Sequence, residues 1–582
     1  MKFGGEVRFV RMYTDRLGGT TYSYTNLDAF LANTASTVQY LGDLSEPSVF
    51  NNGATGQRFV KQEYYIGYAQ DEWKLAPKVT LNYGLRYEYY TPLREDRDLQ
   101  VVFNIKTGAI EPNTTVPYKM LKTNFAPRVA LSYAPSSKTV FRGGFGIYYG
   151  PGQTEDQIQP IESDRISSSV SNVSNAFPVD VSALRSNFIN NPTNRQYQPR
   201  AYAGEEYRVP ERIYQYSVSM QRELPGQIVV TAAYAGSQGR NLFLRSVANQ
   251  IVSVATNSNP ASAAVIVREF DIVQGTTILR PFAEVDYKTS GGHDNYNALQ
   301  LSVVKRSSIG LTFNSQYTLA RSKGNTAGSN EALTSGNLQD FEYDDGYNNF
   351  DVRHTFNVST LYDLPFGKNR KYLSNLSGIG QVFLGDWEMG TIINARSGVP
   401  IDMRITRPDV VYVDGSGSVF GSPAAGRTAV INTPGGGNSR NVRRPDLIPG
   451  MDPFLHDQDR AFLNPAAFAT PAPGTYGDLE RNSLKGPAFA QFDLIFNKRF
   501  SLTERTKLEL RTEIFNILNH TNFKNPPSTL PNVLGTGTNQ LQPGQPFTAA
   551  AAGTFGILNS TVEKVVGLGT NRQIQFALKL TF

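Results

Sequence analysis

Apolar and polar residues alternate along the end of the chain, Arg572-Gln-Ile-Gln-Phe-Ala-Leu-Lys-Leu-Thr-Phe582. In an extended strand, Ile574, Phe576, Leu578, Leu580 and Phe582 share one face, and Gln573, Gln575, Ala577, Lys579 and Thr581 share the other. Chain ends are ordinarily polar and frayed, so an apolar face running to a final aromatic needs a reason. The cleanest alternation in the chain runs from Val79 to Tyr90. There Val79, Leu81, Tyr83, Leu85, Tyr87 and Tyr89 oppose Thr80, Asn82, Gly84, Arg86 and Glu88. Its length suits the roughly 9–11 residues that a tilted strand needs to cross a bilayer. Its tyrosines gather towards one end, as in an interfacial aromatic girdle.

The same unit recurs without close sequence repetition. It appears at 2–11, 64–73, 125–133, 141–149, 214–221, 228–234, 299–303, 311–319, 354–362, 386–397, 492–496 and 508–514. With the two strands above, the pattern predicts about 14 antiparallel strands. Short turns fall near 74–78, 134–138, 224–226, 306–309 and 501–505, and a longer Pro/Gly-rich connection joins 354–362 to 386–397. Long loops fall near 13–61, 91–123, 150–211, 243–294, 321–352, 398–489 and 519–570. Short and long connections alternate, which gathers the long loops at one end. Bacterial outer-membrane barrels have this asymmetry, with short turns on the periplasmic side, whereas a soluble sandwich or propeller has no cause for it. The expected fold is therefore all-β: an antiparallel transmembrane β-barrel with long extracellular loops.

The polar face sharpens this reading. Lys507, Glu509, Arg511 and Glu513 lie on one face of one strand, and a dry core would charge several kcal/mol for each unpaired ion. They suit a wet or plugged lumen, as do Arg86 and Glu88; the bland alternative is the solvent face of an ordinary antiparallel sheet. On the opposite face, Tyr83, Leu85, Tyr87 and Tyr89 are read as lipid-facing.

Composition agrees. The chain has 582 residues, 40% hydrophobic and 18% charged, with 34 Phe and 30 Tyr; a disordered chain would lack the aromatics. No apolar run approaches the 18 or so residues of a spanning helix, which says nothing against spanning strands. Cysteine is absent, which removes disulfides, thiolate metal sites and a Cys nucleophile and weakly favours an exported bacterial protein. The net charge of +6 is spread along the chain without a basic stripe, so no nucleic-acid partner is expected.

Candidate chemistry is sparse. His293, His354, His456 and His520 form no ligand-spaced pair. Asp340-Phe-Glu-Tyr-Asp-Asp-Gly346 departs from a calcium loop, because its glycine stands seventh and no Glu stands twelfth. Gly415-Ser-Gly-Ser-Val-Phe-Gly421 lacks dinucleotide-fingerprint spacing. No catalytic, cofactor or metal residue is assigned, and no enzyme activity or cofactor is expected. The loop tyrosines Tyr197, Tyr202, Tyr207, Tyr343 and Tyr347 are candidates for capturing a sugar or peptide, against the commoner reading of local packing.

Several segments resemble one family, the TonB-dependent outer-membrane transporters, in the subfamily with an N-terminal carboxypeptidase-regulatory-like, carbohydrate-binding-like domain. They are Tyr68-Ala-Gln-Asp-Glu-Trp-Lys74, Leu81-Asn-Tyr-Gly-Leu-Arg-Tyr87, Asn124-Phe-Ala-Pro-Arg128, Tyr234-Ala-Gly-Ser-Gln-Gly239 and Asn295-Tyr-Asn-Ala-Leu-Gln300. Asp351-Val-Arg-His354, Leu364-Pro-Phe-Gly367, Ser397-Gly-Val-Pro400 and Phe515-Asn-Ile-Leu-Asn-His520 continue the series. The tail likewise resembles the C-terminal strand that the barrel-assembly machinery reads, with Ile574, Phe576, Leu578, Leu580 and Phe582 as the signal. The resemblance covers 1–582 as a single barrel domain. It implies a bacterial outer-membrane location, partners in outer-membrane lipid and the assembly machinery, and import of a large extracellular solute such as a saccharide, peptide or chelate. The family barrel has about 22 strands. Signal peptide, TonB-contacting box, plug and about eight strands are not recognised in this sequence, so TonB contact is expected only through regions beyond it. A barrel of these strands alone would be an unplugged pore without energised transport. The alternative function is a passive pore or a surface adhesin.

Deleting Phe582 should lower the heat-modifiable, folded fraction in outer membranes while leaving synthesis unchanged. Semi-native electrophoresis beside a denatured control measures both.

Overall fold

The computed structural model describes residues 1–15, 20–42, 57–100, 102–112, 114–150, 166–178, 196–197, 200–202, 204–282, 285–306, 310–326, 334–368, 370–434, 443–456, 460–503, 505–563 and 568–582. Its frame is a run of long strands: β1 (Lys2–Asp15), β2 (Gln57–Ala76), β3 (Val79–Tyr90), β4 (Phe125–Ser136), β5 (Thr139–Gly150), β6 (Glu211–Leu224) and β7 (Ile228–Ala248). It continues through β8 (Val285–Lys305), β9 (Leu311–Gly324), β10 (His354–Asp363), β11 (Trp387–Arg396), β12 (Phe489–Ser501), β13 (Lys507–Phe515) and β14 (Gln573–Thr581). Each pairs antiparallel with the next, from β1–β2 through β13–β14. The strands sit where the alternation places them. Among the described residues, β1 pairs with β2 and β14 with β13, and no pairing joins β1 to β14.

Register carries the two faces across the whole sheet. Leu85 stands opposite Pro127 on β4, and Val129 opposite Phe145 on β5. Phe145 stands opposite Tyr216, Val218 opposite Tyr234, and Tyr234 opposite Leu299. At the far end Leu510 stands opposite Leu578, and Ile514 opposite Ile574. A one-residue slip anywhere would reverse every later side chain, and none occurs along this row. The apolar face is bare: Val218 is 64% exposed, Leu85 48% and Phe576 72%. The other row is mostly polar, running from Arg86 through Ser217 and Asn357 to Glu513, with Leu361, Ile392 and Ile495 as apolar members.

Three features stand out, and the first departs from the expected loop bounds. First, several strands outrun their apolar rows. β7 and β8 run to Ala248 and from Val285, so the expected loop at 243–294 begins and ends inside a paired ribbon. A register shift between Arg240 and Phe243, with Asn241 at φ 56°, changes which side chains face inward. Below it Tyr234 is exposed; above it Phe243, Val247 and Val285 are buried. Second, the connection between β10 and β11 stands at the short-turn end yet spans 364–386, including a helix, α1 (Ile379–Leu384). Third, the buried apolar clusters belong to the long-loop end. The largest gathers Ile401, Met403, Ile405, Leu463, Phe468, Leu530, Phe547 and Phe555 from the loops after β11 and β13. Most of the expected turn at Arg306–Ile309 lies outside the described residues.

Leu85 and Asn82 give a direct test of facing, because both are exposed and lie on opposite faces of β3. Gly84 shares the face of Asn82, but a Cβ there would stand 2.9 Å from the Ala69 carbonyl oxygen and Gln70 Cβ, so it cannot accept a side chain freely. Leu85→Arg should cost about 2–4 kcal/mol near the bilayer midplane, and Asn82→Arg well under half of that. Folding titrations into vesicles compare the two.

Candidate ligand-facing surface

Two parts of the molecule can meet a solute: the polar face of the sheet and the folded loops above it. The polar face bounds a cavity of about 1080 Å³ between β1 and β8, lined by Lys2, Gln70, Arg86, Arg128, Tyr148, Gln215, Ser217 and Tyr296. Its floor is kept low by small residues, among them Gly84, Ala126, Gly144 and Gly146. Arg86 contacts Glu88 at 2.5 Å. Glu88 is buried, and the Tyr90 hydroxyl donates to its carboxylate. Arg128 lies 4.4 Å above the Tyr148 ring. At the other side of the sheet, Arg499 bridges Glu388 at 3.4 Å and Glu509 at 3.8 Å, and Arg511 approaches Glu513 at 3.4 Å. Pairs of opposite charge recur along this face, within strands and across them.

The loops are held by buried cations. Arg407 donates to the carbonyl oxygens of Thr475 at 2.7 Å, Asn432 at 2.9 Å, Pro471 at 3.1 Å and Ala472 at 2.6 Å. Burial lowers its pKa to about 10, so it stays charged at neutral pH and ties together distant parts of the loop after β11. Arg444 pairs with buried Asp344, whose other oxygen accepts from Ser335 Oγ at 2.7 Å and the Gly336 amide at 2.8 Å. Arg444 also donates to the Tyr343 carbonyl at 2.6 Å and covers its ring at 3.7 Å. Arg481 donates to the carbonyls of Gly324 and Gly346, and burial lowers its pKa too. Lys485 meets Asp351 at 2.5 Å and lies 4.0 Å from the Tyr347 ring centroid. The loop after β11 thus grips the loop after β9 with three cations. None of these was singled out from sequence, because each ion-pair partner lies a hundred or more positions away and the other acceptors are backbone oxygens.

The loop tyrosines are placed differently from a row of exposed rings. Tyr207 is 3% exposed and packs with Leu93, Tyr118, Val209 and Phe243. Tyr343 lies between Arg444 and Tyr476, and its hydroxyl donates to the Gly477 carbonyl at 3.0 Å. Burial raises its pKa to about 12. Tyr347 is half-buried among Lys323, Arg321 and Lys485. These three rings hold the loops together, which leaves them little surface to offer a ligand. The side chains of Tyr197 and Tyr202 lie outside the described residues. Asp340 caps a short 3-10 turn over Phe341–Asp344 by accepting from the Glu342 amide at 3.0 Å. Among the described residues, no group of three or more His, Cys, Asp or Glu side chains is arranged to hold a metal ion.

A meander of long strands with a bare apolar face, a charged polar face and folded loops at one end defines a strand-built membrane protein. The family model described as "Outer membrane beta barrel domain" matches residues 1–575, and the chain belongs to that family. Its place is the bacterial outer membrane. Comparison with curated proteins gave no match. Among solved structures the chain is similar to the outer membrane transporter YddB from Escherichia coli, at 10% identity and a TM-score of 0.42, covering 100% of this chain and 51% of that one. It is similar to the ferric enterobactin receptor PfeA from Pseudomonas aeruginosa at 9% and 0.38, covering 99% and 54%. The alcaligin receptor FauA from Bordetella pertussis aligns at 11% and 0.29, covering 82% and 46%. The chain spans about half the length of these structures, and the likenesses carry no part of the argument below.

Arg444→Ala would leave Asp344 buried and charged beside Ser335, at a cost of about 3–5 kcal/mol to the loop body. Hydrogen exchange should rise over 335–348 and 443–485 while the strands stay protected, since no strand uses this pair. Unchanged protection in the loops would show that the pair is not what holds them.

Proposed function

We propose that this chain is the barrel wall of a TonB-dependent outer-membrane importer of a large solute, with its polar face turned to the lumen and its apolar face to lipid. The supporting observation is the cavity on the polar face. It is wide, lined by Arg86, Arg128, Gln215 and Tyr296, and lies on the same sheet whose long-loop end is folded into a packed body. A wall that only had to be stable would not need charges there. In this reading Arg86, Glu88, Lys507, Glu509, Arg511 and Glu513 are luminal, Tyr83, Leu85, Tyr87 and Tyr89 meet lipid, and the terminal apolar row guides assembly. The importer part of this reading rests on the sequence segments that resemble TonB-dependent transporters, and its energised step needs a TonB-contacting region besides these strands. The arginine, glutamine and tyrosine side chains lining the cavity suit a saccharide, peptide or chelate that binds by hydrogen bonds and charge.

A passive pore is the second reading, favoured by the polar side chains that line the same cavity. Uptake of a ferric chelate, an oligosaccharide and a peptide, each radiolabelled, separates the two in cells that express this barrel wall together with the plug and TonB-contacting region the reading calls for, with and without TonB. The proposal expects accumulation of one class that stops when TonB is deleted or the proton-motive force is collapsed. Uptake that is indifferent to both, with steady single-channel conductance in planar bilayers, would establish the pore instead.

A further inference from the structure

The connection at 364–386 is the one long link at the short-turn end, and its fold gives a reason for its length. Both its ends are pinned. Leu364 N donates to the Trp387 carbonyl at 2.8 Å. Gly367, at φ +112°, lies so close to Gly385 that a Cβ would stand 2.7 Å from the Gly385 Cα. Gln381 ties the two arms, accepting from the Lys368 amide at 2.7 Å and donating to Asp386 at 3.0 Å. With Gln381 turned inward, α1 directs Ile379, Val382 and Phe383 outward, as positions i, i+3 and i+4 require. Ile379 is 77% exposed and Phe383 69%.

The segment also lies on the outside of the wall. Lys498 belongs to the apolar row of β12, in phase with Phe496 and opposite Trp387. It is nonetheless buried, because its ammonium donates to the Gly385 carbonyl at the end of α1 and lies near the Trp387 and Phe500 rings, 5.9 and 5.1 Å from their centroids. The Trp387 indole donates to the Phe383 carbonyl at 2.7 Å. So α1 leans on the apolar face at its short-turn rim, and its bare side chains continue that face. Lys368 and Lys371 stand exposed on the same connection.

We propose that the 364–386 connection is an in-plane membrane anchor, with Ile379, Val382 and Phe383 buried among the lipids of the periplasmic leaflet and Lys368 and Lys371 on anionic phospholipid headgroups. An amphipathic segment of this kind settles about 5–10 Å into the headgroup boundary. The chemistry fits: an apolar face continuous with the apolar row of the sheet, an indole beside it, and exposed lysines on the same connection. The inference rests on the apolar face meeting lipid, and the test separates the two.

The chain has no cysteine, so single labels are unambiguous. The full chain carrying Phe383→Cys, or Val382→Cys as a second position, is labelled with an environment-sensitive fluorophore and folded into phosphatidylcholine vesicles with and without phosphatidylglycerol. Leu85→Cys is the reference for lipid facing, and Ser416→Cys is the reference for water. The expected result is blue-shifted emission at 383, quenched more by headgroup-region spin-labelled lipids than by chain-end ones, and no quenching at 416. Lys368→Glu with Lys371→Glu should move the 383 label outward only in vesicles containing phosphatidylglycerol. Water-like emission at 383 and 382 with lipid quenching at 85 overturns the anchor alone. Water-like emission at 85 as well overturns the facing assignment beneath it. A blue-shifted label that no lipid quencher reaches shows a protein contact and overturns the proposal, and equal depth in both lipids with the Lys substitutions overturns the headgroup contact.

Discussion

The structure depends on one constraint: inside a bilayer every backbone N–H and C=O must find a partner within the protein, at several kcal/mol for each one left bare. A meander of neighbouring antiparallel strands meets it locally for every strand between the edges β1 and β14, since each pairs with the next and no long crossover has to pass through lipid. The side chains are then free to do the reverse of a soluble core. Leucine, valine and phenylalanine stand bare on the outer face, while arginine, glutamate and serine share the other. The packed apolar clusters move to the only place where water drives them together, the loops.

This inversion explains why so much of the fold was legible. Period-two alternation is a local signal, and lipid on one side with water on the other makes it strong along β3, β9 and β14. The loop parity followed from the same constraint, because a meander puts alternate connections at opposite ends. What stayed hidden was non-local. Arg444 and Asp344 are a hundred positions apart and meet only through two loops, and Arg407 is satisfied by carbonyls that every residue possesses. The outer reaches of β7 and β8 were read as loop because, beyond the bulge at Asn241, their burial follows loop packing and no longer the bilayer. Tyr207 looked available because aromatic residues in loops carry no periodic mark to show which side they face.

The candidate site was legible to a lesser degree. The polar row at 507–513 and the Arg86/Glu88 pair could be read from one strand each. The cavity that Arg86 shares with Arg128, Gln215 and Tyr296 needed the register of eight strands. The loop cations tie the long insertions after β9 and β11 into one packed body at the long-loop end of the sheet. The loops' rigidity comes at the expense of burying their cations, which is tolerable because each is paired or saturated with carbonyl oxygens.

The central claim is that the two rows of side chains face two different solvents. Spin labels placed singly from Val79 to Tyr90 on β3, in the full chain folded into vesicles, read this directly through collision with oxygen, which concentrates in lipid, and with a water-soluble nickel chelate. The account predicts a period of two in the ratio: oxygen dominates at 81, 83 and 85, and nickel dominates at 80, 82 and 86. A flat profile, or one in which nickel reaches both rows equally, would contradict it.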